Sequence, residues 1–151
     1  MARTVVQGGR AKAYRPMPAA ARRAAFESGL AAYAQGDFFL AHELLEPPWM
    51  GTRDLAEREL IQGVIKLAAA FVHGARSNPL GIAKNLRGAR ERLARAGPVG
   101  ARLGVDVPAL LASIDAWLAD PGAVDDPAIE IPRTVSGGPP ILISRGETAD
   151  G

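Results

Sequence analysis

From residue 18 to residue 120, apolar residues recur at the spacing of helical faces. The pattern is sharpest over residues 54–74, DLAERELIQGVIKLAAAFVHG. Here Arg58, Glu59, Gln62, Lys66 and His73 share about 100° of helical arc, while Leu60, Ile61, Val64, Ile65, Leu67, Ala68, Phe71 and Val72 fill the rest. The pattern predicts a helix packed on most of its sides, with a polar stripe that needs partners, water or a shared pocket. Four further helices are expected around it. The first spans about 18–35, between Pro18 and Gly36. The second opens at Asp37, runs through FFLAHELLE and ends at Pro47-Pro48. Thr52 or Asp54 caps the long helix and Gly74 stops it, and the fourth runs from Asn78-Pro79 to Gly97-Pro98. The fifth, DVPALLASIDAWLAD, carries Leu110, Leu111, Ile114, Trp117 and Leu118 on one stripe.

The ends read differently. Residues 1–17 are expected to form a basic irregular arm. Beyond Asp120 the prolines and glycines exclude a persistent helix, leaving only AIEI and ILIS as extended pieces. Ile129, Ile131, Ile141, Leu142 and Ile143 are expected to pin parts of residues 121–151 onto the bundle at 18–120, with the last residues mobile. The expected fold is therefore all-α, a single-domain bundle of about five helices with irregular arms and no sizeable sheet.

Composition narrows the function classes. The 151 residues hold no cysteine, which excludes disulfides, thiolate catalysis and sulfur-ligated zinc and suits a reducing cytoplasm. No uncharged apolar run is long enough for a membrane span, and the N-terminus lacks a signal-peptide core, so a cytoplasmic protein is expected. The net charge is only +2, yet residues 1–23 carry six basic residues and no acid, and residues 76–102 carry seven against Glu91 alone. From 103 onward eight acids oppose Arg133 and Arg145. Such segregation can steer an anionic partner or orient a two-fold homodimer, for which the fourth and fifth helices offer small residues such as Gly81, Gly88 and Ala89.

The second and third helices hold the candidate chemistry. Phe39, His42, Glu43 and Glu46 share one side of the second helix, and Gln62 and His73 differ by about 20° on the third, with Lys66 between them. A short connection through Trp49 makes the two helices neighbours, so both polar faces are expected to look into one cleft with Trp49 at its rim.

GDFFLAHELLEPPW, followed by RELIQGVIKLAAAFVHG and NPLGIAKNLRGARERL, resembles the prokaryotic helical family known as domain of unknown function 309, over roughly residues 25–95. The resemblance implies an all-helical fold and a polar cluster at His42, Glu43, Glu46, Trp49, Arg58, Gln62 and His73. It implies no activity and no cofactor. The family pattern has glutamine where Lys66 stands, which argues against a metal-liganding role at that position.

Four readings of the cluster follow. A polar core that fixes helix register, or a small-ligand site, is the leading one. His-Glu-x-x-Glu resembles the His-Glu-x-x-His of zinc hydrolases, so a metal-dependent site using His42, Glu46 and His73 is an alternative. Glu43 or Glu46 with His42 offers proton transfer without a defined substrate. The last is nucleic-acid or anion binding through the basic arm and Lys84, Arg87, Arg90, Arg92 and Arg95, although no base-reading motif accompanies them.

Overall fold

The computed structural model describes residues 3–72, 79–123 and 128–134. A hairpin of two strands, β1 (Thr4–Gln7) and β2 (Arg10–Ala13), precedes six helices. These are α1 (Ala19–Ala34), α2 (Phe38–Met50), α3 (Leu55–Phe71), α4 (Pro79–Ala94), the short α5 (Val99–Arg102) and α6 (Val107–Ala119). The architecture is all-α, as the apolar periodicity predicts. Each of three helices is started by an aspartate whose carboxylate accepts from a free first-turn amide: Asp37 from Leu40, Asp54 from Glu57 and Asp106 from Ala109.

Successive helices pack as neighbours, α1 on α2, α2 on α3 and α3 on α4, with α6 closing on α4. The core runs from Phe26, Leu30 and Tyr33 of α1 through Leu45 of α2 and Leu60, Ile61, Val64, Leu67 and Phe71 of α3. It continues into Leu86 and Leu93 of α4 and Leu110, Ile114 and Trp117 of α6. The close approach of α3 to α4 needs a glycine, because a Cβ at Gly63 would lie 2.7 Å from Leu93 Cγ.

Three local outcomes differ from the pattern-based expectation. The arm at 1–17 is not wholly irregular, because Gly8 and Gly9 both adopt positive φ, as a two-residue type I′ turn demands, and so fold Thr4–Gln7 back on Arg10–Ala13. The second helix continues through Pro47 and Pro48 to Met50, which carries Trp49 on its last turn. Proline removes an amide donor but keeps a helical φ, so the ladder weakens there before the helix itself ends. Between the fourth and fifth expected helices lies the extra short turn α5.

Residues 128–134 cross the bundle as a strap. Tyr33 Oη donates to the Ile129 carbonyl at 2.5 Å, Arg133 bridges Val105, and Arg133 grips Glu27 through two bonds of 3.1 and 2.7 Å. Ile129 is buried, as expected of the tail's anchors, whereas Ile141, Leu142 and Ile143 lie outside the described residues. The basic residues of 76–102 and the acids beyond 103 meet within one chain where Arg90 pairs with Asp115 across α4 and α6, whereas the strap pair of Arg133 and Glu27 runs the other way. No helix among the described residues is long and apolar enough to cross a membrane.

Candidate functional site

The polar stripe of α3 finds its partner outside the helical bundle. The antiparallel register puts Gln7 at the tip of β1, beside the glycine turn, where it is 3% exposed. Backbone bonds fasten the segment that follows β2 to the end of α2: Arg15 N–H to the Met50 carbonyl (2.9 Å) and Met17 N–H to the Gly51 carbonyl (3.1 Å). The Gly8 turn abuts α4, with a Cβ position 3.4 Å from Arg92 Nη1.

Gln7 thereby becomes the hub of a network. Its Nε2 donates to Glu59 Oε1 and to Gln62 Oε1, each at 2.6 Å. Its Oε1 accepts from Trp49 Nε1 at 3.1 Å and from Arg58 Nε at 3.2 Å. A primary carboxamide has two N–H donors and two lone pairs, and all four are used. The amide's orientation is fixed by its neighbours: indole and guanidinium only donate and an ionised carboxylate only accepts, so the oxygen must face Trp49 and Arg58 and the nitrogen must face Glu59.

Two buried charges flank this amide. Arg58 is fully buried, stacks 4.7 Å from the centre of the Trp49 ring, and donates to the carbonyls of Thr52 (3.1 Å) and Ala13 (3.3 Å). Its acceptors are neutral oxygens, and burial pulls its pKa below the ordinary value, although arginine stays protonated at neutral pH. Glu59, also buried, takes Arg92 of α4 at 3.2 Å and Arg95, just past the end of α4, at 3.5 Å. Gln7 thus separates a cation from a carboxylate held by two further cations.

Of the candidate residues, Trp49, Arg58 and Gln62 bond to Gln7 or stack within this cluster. Lys66 is half-buried on the same helix, its stem against Gly88. His42 is half-buried on α2, and Glu43 and Glu46 are exposed there. No side-chain hydrogen bond or ion pair joins any of these three to a described residue. His73 lies outside the described residues, which contain no group of three His, Cys, Asp or Glu able to hold a metal ion. The sequence reading missed Gln7 altogether. The signal was there in VVQGGRAK, a Gly-Gly turn between two short extended runs, but a stretch so rich in basic residues read as a solvated arm.

Two concavities lie elsewhere. One of about 710 Å³ runs between α1 and residues 128–133; of its charged liners Glu27, Glu130 and Arg133, Glu27 and Arg133 already bind each other. Another of about 370 Å³ lies at the start of α3, where Arg22 pairs with Glu57 and Arg102 with Asp54. Neither offers the converging, oriented donors and acceptors found around Gln7.

Residues 26–86 match the family described as Domain of unknown function (DUF309). This stretch is similar to that family. The match runs from α1 into α4, so Trp49, Arg58, Glu59 and Gln62 all belong to the DUF309 segment, while Gln7 and the hairpin stand outside it. No curated protein matches the chain.

Proposed function

We propose that the chain binds a small polar ligand in the cleft between α2 and α3, and that the N-terminal hairpin is the latch over that cleft. One observation supports this above all: four polar groups positioned by two helices of the DUF309 segment are satisfied together by one side chain brought from outside that segment. A two-stranded hairpin is marginal by itself, so its docking depends on Gln7 and a few backbone bonds, and such units open locally well below the free energy of global unfolding. Opening leaves Trp49, Arg58, Glu59 and Gln62 facing water with their geometry still set by the helices, the condition under which a ligand binds without paying to organise its site. The absence of cysteine supports a reducing, cytoplasmic setting.

The test uses Trp49 as reporter. With Trp117→Phe as background, Trp49 is the sole tryptophan, and a metabolite panel is screened by its emission while hydrogen exchange follows the hairpin amides. A ligand of this site shifts Trp49 emission and speeds hairpin exchange together. If no compound binds, or every binder leaves both signals unchanged, the cluster is a structural latch and nothing more.

A further inference from the structure

Resting on the reading of the cleft as a ligand site, we infer that its ligand carries a primary carboxamide or carbamoyl group, and that Gln7 is the internal competitor for that place. The inference comes from the complementarity of the walls. On one side stand two obligate donors, the Trp49 indole and Arg58 Nε; on the other stands the Glu59 carboxylate, an obligate acceptor, with the Gln62 carbonyl beside it. Only a group with an oxygen on one side and an N–H₂ on the other meets all four.

Other polar groups fail at identifiable atoms. A carboxylate satisfies Trp49 and Arg58 but turns its second oxygen toward Glu59, where the amide nitrogen now sits at 2.6 Å. Gln62 can rotate its amide to donate, but Glu59 cannot, and Arg92 and Arg95 hold it in place. A dimethylated amide has no hydrogen for either acceptor, and a hydroxyl supplies one donor where two acceptors wait. A site built to hydrogen-bond a group discriminates strongly against analogues lacking it, because its own buried polar atoms are then left unpaired. Glutamine side chains, nicotinamide and carbamoyl esters share the chemistry that is recognised.

The experiment compares the full-length chain with its Gln7→Ala variant by Trp49 emission in the Trp117→Phe background. The probes are propionamide, L-glutamine, nicotinamide, propionate and N,N-dimethylpropionamide. Propionamide should bind Gln7→Ala about tenfold or more tighter than propionate or the dimethyl amide. It should bind the unmutated chain more weakly, in proportion to the fraction of time Gln7 vacates the site. L-Glutamine and nicotinamide separate two of these sources of the amide. In a Gln7→Ala, Glu59→Gln double variant the preference over propionate should collapse, since glutamine can donate where glutamate cannot. Should Gln7→Ala fail to fold, propionamide must still accelerate hairpin exchange in the unmutated chain more than propionate does. Equal binding of propionamide and propionate overturns the carboxamide assignment while leaving a ligand site. Binding of no probe to either protein overturns the assignment and counts against the ligand reading as well.

Discussion

Replacing Gln7 by glutamate changes one N–H₂ into an oxygen and leaves the shape of the side chain intact. The new oxygen falls where Nε2 stands, 2.6 Å from Glu59 Oε1 and 2.6 Å from Gln62 Oε1. Two carboxylates at that separation repel by about 6 kcal/mol at an effective dielectric constant of about 20. Arg58 on one side and Arg92 and Arg95 on the other return part of this. Rotation of the Gln62 amide recovers one bond, and uptake of a proton by one carboxyl limits the rest. The net weakening of hairpin docking at neutral pH is expected to be about 2–4 kcal/mol. Its pH dependence has a definite sign. Like-charge repulsion raises the pKa of one member of the pair in the docked state above its value of about 4 in the open state. Docking is therefore least impaired near pH 4 and deteriorates as pH rises toward the raised value. Gln7→Ala, which loses the same bonds without adding charge, should weaken docking with no such trend. Hydrogen exchange across β1 and β2 from pH 4 to pH 8, corrected for intrinsic rates, reads both. A glutamate variant that docks as well as glutamine at neutral pH, or equally poorly at all pH values, would refute the assigned orientation of the amide.

Arg58→Met, which keeps volume but removes the stacked cation and three hydrogen bonds, should cost about 2–4 kcal/mol in urea denaturation, with the Ala13 and Thr52 carbonyls left unpaired. Gly63→Ala should cost about 1–3 kcal/mol by driving a methyl into Leu93 at the crossing of α3 and α4. The bidentate hydrogen bond from Arg90 holds the Asp115 carboxyl below its ordinary value, so whatever stability the pair adds is present at neutral pH and lost as pH falls through the acid range. Asp115→Asn should therefore differ from the unmutated chain least in acid, as thermal melts between pH 2 and pH 7 would reveal. The two-fold dimer expected through the fourth and fifth helices loses Ala89, which is buried, and Gly88, which packs against Lys66; we propose α2 as its surface instead, where Phe39 is 66% exposed beside the exposed Leu40. Light scattering should find twice the 15.8 kDa chain mass and only that mass for Phe39→Ser, Leu40→Ser; a monomer throughout would end the proposal.

The helices were legible because burial of an apolar face leaves a periodic trace in the sequence, and the aspartate caps and glycine stops marked their ends closely. The polar stripe of α3 was legible for the same reason: Arg58, Glu59 and Gln62 interrupt an apolar helix on one side. What satisfied them was not legible. Gln7 lies more than fifty residues away and is uncharged, and nothing in a polar residue announces a long-range partner. Helical periodicity says which residues share a face but not whether the neighbouring helix answers them, as His42, Glu43 and Glu46 illustrate. The hairpin escaped because its strands are four residues each, too short for alternation to stand out among basic residues.

The central claim is that Gln7 and the helical cluster act as one hydrogen-bonded unit, and a double-mutant cycle between Gln7→Ala and Trp49→Phe tests it most directly. Trp49→Phe keeps an aromatic face over Arg58 and removes the indole donor to Gln7. Read from the free energy of hairpin opening by hydrogen exchange, the two changes should be coupled by about 1 kcal/mol, the double variant opening less easily than the sum of the singles predicts. Costs that add to within about 0.3 kcal/mol would show that the amide and the indole do not share a bond, and the socket as described would not exist.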